Sequence, residues 1–444
     1  MRKSTLIVLL SAIGLGAFVY FYEIKGGKER EEAEEKAKQI FPFDEKEIVE
    51  ITLHRGDQTL AFEKRDDTWF ITRPVHTKAE QYSVDAIARN VTTTEVNRRF
   101  TPSDGKLSAY GLDEPKVVVT VKLKNGQEHR LAFGAEDFTG GNRYVRIDDQ
   151  SEIALVPTYV FSSVDKSLFD LRDKSLFDVE RSAVKSLELE TPRGRFALVK
   201  QGDDWRLERP RTLPADSSEV SSILSKLTFA RMTEVVAEEA EDLRKYGLDR
   251  PTLVARLRTG GGEEYELMLG KKEDDHYYGK TNRRRLIFKV GTDVFDKLNT
   301  TLFNLRNKKP APFDRDDVVR LRLKNEHQTL IAEKNEEKWI LKEPAQHKDK
   351  EVKSYKLFNP LEFSDAKEIF DTPSEKLKAA LKDPAIEVEL TTQDGQTITI
   401  DISKKMDDTV YVQNSLSPAV MTFGVDLFND LNFKVEDILQ KDSS

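Results

Sequence analysis

No cysteine occurs anywhere in the sequence. That absence removes disulfides, thiolate metal sites, a cysteine nucleophile and a lipoprotein-type cysteine anchor together. It fits an oxidising envelope space, where stray thiols are a liability, without by itself placing the chain there. Compact catalytic signatures are missing too: there is no P-loop, no Gly-x-Ser-x-Gly, no Gly-x-Gly-x-x-Gly after a strand and no His-Glu-x-x-His. Positive charge is in deficit, with a formal net charge of −8 and a pI near 5.6, which argues against nucleic acid as a partner. What is present is 444 residues, 38% hydrophobic and 34% charged, at a mean hydropathy of −0.57. Such a chain is mostly soluble and globular, and long enough for about three domains.

Long apolar runs are scarce, and the one present lies near the start. Met1-Arg2-Lys3 precedes residues 4–22, which are uncharged and mostly apolar. About 19 helical residues at roughly 1.5 Å each reach about 28 Å, close to a bilayer core of about 30 Å. Phe18, Tyr20, Phe21 and Tyr22 cluster at the far end, where amphipathic rings favour the membrane interface. A cleaved signal peptide needs a small-x-small site just behind the apolar core; Gly14 and Gly16 have that spacing but lie inside it. The expectation is an uncleaved single-pass anchor in a cell inner membrane, inserted through residues 4–22. A short basic segment before a first apolar run is the usual export pattern, so the N-terminus is expected in the cytoplasm and the bulk in the periplasm or its extracytoplasmic equivalent. Residues 25–42, rich in Glu, Lys and Ala, read as a charged helical stalk.

The only three tryptophans, Trp69, Trp205 and Trp339, stand 136 and 134 residues apart. Each has a lysine five residues before it (Lys64, Lys200, Lys334) and a proline five residues after it (Pro74, Pro210, Pro344). Phe-Asp recurs upstream at Phe43-Asp44, Phe177-Asp178 and Phe313-Asp314. Tyr-Gly-Leu-Asp-x-Pro appears as Tyr110, Gly111, Asp113 and Pro115, and again as Tyr246, Gly247, Asp249 and Pro251. In the third copy it decays to Ala380-Leu381-Lys382-Asp383-Pro384. This is internal triplication, with a period too long for a solenoid turn and long enough for each copy to own a core. The domains expected are the anchor at 1–24, the stalk at 25–42, and repeat units at 43–176, 177–312 and 313–444, the third diverged.

Each unit opens with apolar residues at alternate positions, such as Ile51 and Leu53 or Leu187 and Leu189. That period predicts half-buried antiparallel strands. The proline ends the tryptophan strand because it has no N–H for the ladder. A helix is expected next, over 79–91 in the first unit and 216–227 in the second, with Ser217 and Ser218 as caps. The fold class is α+β: an N-terminal transmembrane helix plus three tandem repeats of a mostly antiparallel sheet with packed helices, arranged as beads joined by short junctions.

The signature residues have structural readings as well as functional ones. A tryptophan placed once per unit on a strand is expected in the core rather than in a ligand groove. Tyr-Gly-Leu-Asp-x-Pro reads as a turn in which glycine supplies an unusual backbone angle, aspartate caps and proline starts the next strand. Glu273-Asp274-Asp275-His276 is dense enough to suggest a metal, but its residues are consecutive and fall in an expected hairpin loop. His54, His76, His129, His327 and His347 are scattered without ligand spacing. Arg283-Arg284-Arg285 reads as a solvent-facing turn protected by charge, and Gly260-Gly261-Gly262 as a hairpin turn. No catalytic residue, metal or cofactor is expected.

The stretch Trp69 to Pro74 with the helix after it, Tyr110 to Pro115, Gly134, Tyr144-Val145 and Leu171-Arg172-Asp173-Lys174, with their second-unit counterparts, resembles a bacterial envelope family known only as domain of unknown function 4340. The resemblance covers nearly the whole exposed region and breaks in the third unit at Lys382 and at Ser403, which replaces a glycine. It implies single-pass proteins whose genes lie beside ABC-type transport systems related to gliding-motility transporters, with a permease and a large extracytoplasmic auxiliary subunit. No catalytic residues come with it. The function expected is that of a membrane-anchored extracytoplasmic accessory subunit of such a complex, acting by protein binding. The alternatives are a stand-alone substrate- or glycan-binding envelope protein and, less favoured, an enzyme with a site between units.

Overall fold

The computed structural model describes residue 20, residues 34–102 and residues 106–440. Apart from Tyr20, the expected anchor lies outside the described residues. Among the described residues no helix is long and apolar enough to cross a membrane. The chain divides into two compact units, the first ending at Lys174 and the second beginning at Ser175. The first holds one nine-stranded sheet and the second holds two, and all three have the same strand order.

The first sheet shows the plan. Strands β1 (Ile48–Arg55), β2 (Gln58–Arg65), β3 (Thr68–Arg73) and β4 (Thr77–Lys78) form one meander. Helix α1 (Gln81–Thr93) then leads to the short β5 (Arg98–Phe100). A second meander follows: β6 (Val117–Leu123), β7 (Glu128–Glu136), β8 (Asn142–Ile147) and β9 (Ile153–Pro157). Two short helices close the repeat, α2 (Thr158–Val164) and α3 (Leu168–Leu171). The order across the sheet is β4-β3-β2-β1-β6-β7-β8-β9-β5, with antiparallel pairing throughout. The meanders meet at β1 and β6, and α1 carries the chain from one edge of the sheet to the other.

The pattern of burial follows from side-chain period. Ile48, Ile51 and Leu53 of β1 and Val117, Val119, Val121 and Leu123 of β6 point into one core. Helix α1 meets them with Val84, Ile87, Ala88 and Val91, spaced i, i+3, i+4 and i+7. Ile40 and Phe41 are buried in the same core, and Ile40 N–H bonds to the Thr94 carbonyl. The last residues of the expected stalk are therefore part of the first sheet's packing, while residues 34–38 are helical.

The helices start and end later than their apolar spacing suggests. The first runs Gln81–Thr93 rather than 79–91, and the second Ser217–Phe229 rather than 216–227. The caps are Glu80 and Asp216, each accepting an N–H three residues on. Ser217 is instead the first helical residue, and its hydroxyl accepts from the Trp205 N–H. A carboxylate at the cap also complements the positive helix end, which favours Asp216 over the serines behind it. In the third repeat an added helix, Glu375–Ala380 capped by Ser374, takes the place of the Tyr-Gly-Leu turn.

Candidate functional site

The repeat signature is a packing device. Lys64, Lys200 and Lys334 are the cross-strand partners of Trp69, Trp205 and Trp339 across a tight turn, which fixes their spacing at five residues. All three tryptophans are buried. Trp69 Nε1–H donates to Asp85 Oδ1 at 2.8 Å, and the Gln81 side chain both accepts the Trp69 N–H and donates to the Trp69 carbonyl. Pro74, Pro210 and Pro344 follow the last residue of each tryptophan strand through cis peptide bonds.

Tyr110 and Tyr246 end 3-10 turns closed by Gly111 at φ +66° and Gly247 at φ +69°. This left-handed backbone favours glycine. The tyrosine rings stand edge-on or tilted against Tyr144 and Tyr278, at 4.9 and 5.2 Å between centroids. The turn lies directly over the next meander: a Cβ on Gly134 or Gly270 would come closer than 3.0 Å to the Tyr110 or Tyr246 carbonyl. Pro115 and Pro251 lead into the strands beginning at Val117 and Leu253. The capping expected of Asp113 and Asp249 is not seen: both are exposed, and among the described residues neither carboxylate accepts a backbone N–H of its turn. The turn needs no such cap, because Gly111 and Leu112 return their N–H groups to the Ser108 and Leu107 carbonyls.

A cleft of about 800 Å³ lies between the second and third sheets, inside the second compact unit. Its walls are the start of the Trp205 strand, the junction through Asn307 to Asp316, and the end of the helix Ser354–Phe363. Three of its charged side chains, Lys309, Arg315 and Glu362, are in ion pairs. Arg315 donates to Ser354 Oγ at 2.8 Å, approaches Glu362 at 3.6 Å and lies over the Phe358 ring. Lys309 meets Asp365 at 2.9 Å, and the Asp314 carboxylate accepts the Asp316 N–H. No histidine lines the cleft.

Beside it the second and third sheets are joined by a buried ion pair. Arg306, with 8% of its side chain exposed, donates to Asp371 Oδ1 at 2.9 Å, and Arg211 reaches the other oxygen of that carboxylate at 3.1 Å. Asn414 donates to the Pro310 carbonyl and the Ala366 N–H to the Lys308 carbonyl. Lys308 also pairs with Asp216 at 2.5 Å. Burial raises the Asp216 carboxyl, but the Lys308 ammonium and the Glu219 N–H outweigh it and hold the group below its ordinary value. The Leu-Arg dipeptide repeated ahead of Phe-Asp was the visible sequence signal for this junction; Asp371 has none.

The remaining candidates dissolve into local pairing. Glu273 to His276 form a hairpin turn, with Asp274 at φ +51° and Glu273 paired to Lys289 at 2.6 Å. Arg283 lies over the Tyr265 ring and Arg285 pairs with Glu239 at 3.1 Å. His54 bonds Thr59, His129 bonds Asp148 and His347 bonds Glu436, each far from the others in the topology. Among the described residues no group of three or more His, Asp or Glu is placed to hold a metal ion.

The fold and these features define a class: an α+β protein of three sheet repeats. The chain belongs to the family described as a domain of unknown function, DUF4340, whose model matches residues 69–206 and 205–384. No curated protein matches it. Among solved structures, a putative DNA polymerase III beta subunit from Eubacterium rectale aligns at 7% identity over 87% of this chain and 94% of that one. Its TM-score is 0.15, a level at which likeness carries no argument.

Proposed function

We propose that the chain is a membrane-tethered extracytoplasmic accessory subunit of an ABC-type transport or envelope complex, and that it acts by binding proteins. The observation that carries this reading is the open junction cleft, in which Arg315 is held by Glu362 and Lys309 by Asp365 while Asp204, Arg206 and Asp316 remain available for polar contacts with a partner. A surface of this kind offers a partner polar contacts without the paired acid and base that chemistry requires. The apolar run at residues 4–22 supports the tether, which would raise the effective concentration of the sheets near a permease. The transport association implied by the family resemblance supports the choice of partner.

Affinity purification of the full chain from detergent-solubilised membranes, read by mass spectrometry, tests it. Co-recovery of a permease and an ATPase subunit is expected. Recovery of the chain in a tight complex with neither, or activity of a C-terminal reporter only in the cytoplasm, refutes the reading.

A further inference from the structure

The three repeats carry the same helix end and treat it differently. The strand opening each sheet begins at Ile48, Val184 or Val318, each marked by the same register break one step further in. Arg55, Thr191 and Asn325, seven residues on, therefore occupy one structural position. The short helices Thr158–Val164, Thr292–Leu298 and Val425–Leu431 also correspond, each returning its cap N–H to a phenylalanine carbonyl.

In the first repeat Arg55 plugs the helix end. Its Nη2 donates to the Val164 carbonyl at 3.2 Å and the Lys166 carbonyl at 3.0 Å, while Asp165 lies 3.1 Å from its Nε. In the third repeat Asn325 does the same work: its Nδ2 donates to the Leu431 carbonyl at 3.0 Å and the Phe433 carbonyl at 2.9 Å. Asn432, which corresponds to Asp165, accepts the Glu326 N–H at 3.3 Å.

In the second repeat the plug is missing. Thr191 turns its hydroxyl to the Gly194 carbonyl, and no described side chain donates to the Leu298 or Thr300 carbonyl. A cavity of about 560 Å³ lies there, lined by Arg193, Asp216, Glu219, Lys297, Asn299 and Thr300 among others. Two lining side chains hold buried oxygens without a partner, the acceptor Asn299 Oδ1 and the hydroxyl Thr300 Oγ1, and Thr300 is only 4% exposed. Native interiors seldom leave such atoms unpaired, because losing water without gaining a partner is costly. The lysines at the rim are engaged, Lys297 with Glu219 at 2.8 Å and Lys308 with Asp216 at 2.5 Å.

We infer that the second repeat carries an open socket for a guanidinium group, and that its occupant is an arginine side chain of a partner protein. The unpaired groups in the wall are the Asn299 amide oxygen and the Thr300 hydroxyl. A planar fork of N–H donors satisfies them as Arg55 satisfies its own copy; an ammonium lacks the fork, and a carboxylate finds acceptors where it needs donors. Arg193, exposed at the rim, is the competing occupant from within the chain. The socket is recognised by its chemistry alone, so its failure and the failure of the transporter reading are separable.

Isothermal titration of the full chain with N-acetyl-L-arginine methylamide is the test, with the matching lysine compound as control. One saturable site is expected on the wild-type chain, with the lysine compound at least tenfold weaker. Thr191→Arg, which rebuilds the plug of the first repeat, is expected to weaken the arginine compound at least tenfold while raising the melting temperature. Arg55→Thr is expected to open a second site; should that variant fail to fold, the wild-type and Thr191→Arg pair decides alone. No saturable binding to the wild-type chain, undiminished binding to Thr191→Arg, or equal binding of the lysine compound overturns the inference. Binding that appears only after Arg193→Ala assigns the socket to Arg193 and overturns the partner arginine.

Discussion

Gly270→Ala should unfasten one face of the second sheet. The added Cβ would stand closer than 3.0 Å to the Tyr246 carbonyl and about as close to Gly247 carbonyl atoms. Both neighbours are backbone, so no rotamer change relieves the clash. The turn is held by Gly247 and Leu248 N–H bonds to Arg244 and Leu243 carbonyls, and by burial of Tyr246 and Leu248 over Ile287. Overpacking of this kind costs about 1–3 kcal/mol when the surroundings shift. If the turn lifts instead, exposing Tyr246 and Leu248 costs about 1.5–3 kcal/mol for each side chain. The cheaper route sets the expected destabilisation, about 1–3 kcal/mol. Hydrogen exchange read by mass spectrometry is the assay, because it localises the loss to the strands Leu253–Thr259 and Glu264–Glu273. Their slowest amides should exchange roughly 5- to 150-fold faster. The third sheet supplies the control: Ser403, at the corresponding position, already has a Cβ, and Ser403→Ala should cost only its hydroxyl bonds to Tyr411 and Lys404, about 1 kcal/mol. A Gly270→Ala protein with unchanged protection in both strands would refute the argument that close backbone approach is what requires glycine there.

Three further outcomes follow from buried polar groups. Asp371→Ala strands the Arg306 guanidinium and should cost about 2–4 kcal/mol in urea unfolding, whereas Arg306→Met combined with Asp371→Leu should recover most of it; equal losses in the single and double variants would contradict this. Trp69→Phe removes the donor to Asp85 and leaves a void, with an expected loss of about 2–3 kcal/mol in the first sheet's unfolding transition. Asp401→Asn should raise the melting temperature at pH 7. Burial, with Glu387 and Glu389 beside it, lifts the Asp401 carboxyl above its ordinary 3.8. The folded state therefore holds that proton more tightly than the unfolded chain, so its contribution is full below 3.8 and lost as pH rises through the lifted value. The gain from asparagine should shrink as pH falls toward 3.8, and a gain independent of pH would count against the charge argument.

The parts of the fold legible in the sequence are those set by short-range geometry. Lysine and tryptophan five residues apart are opposite partners across a two-residue turn, and proline after the tryptophan strand cannot continue a ladder. Glycine in Tyr-Gly-Leu-Asp is legible for the same reason, since a left-handed angle is a local demand. The caps were less so, because Asp216, Ser217 and Ser218 all suit a helix start, and the bond of Ser217 to the Trp205 backbone together with the Asp216 charge separates them. Long-range pairs left almost no trace: nothing in Phe370-Asp371 announces a partner 65 residues upstream at Arg306. The open helix end was likewise hidden, because Arg55, Thr191 and Asn325 become comparable only when the strand registers are aligned.

The repeat that departs most in sequence is not the one with the open helix end. The third copy has changed most visibly, yet its changes compensate one another. Ser403 replaces a glycine where the overlying turn has become a helix, and Asn325 replaces an arginine while reaching the same two carbonyls. Leu439 bridges Val352 as Arg306 bridges Ala215 and Arg172 bridges Ala79. An arginine there requires a carboxylate, as Asp371 provides for Arg306, whereas a leucine requires none. The second copy keeps every visible signature, and among the described residues no side chain donates to its helix end as Arg55 and Asn325 do to theirs. An open helix end is what the inferred arginine socket requires, so the well-kept second repeat rather than the diverged third is where that inference is tested.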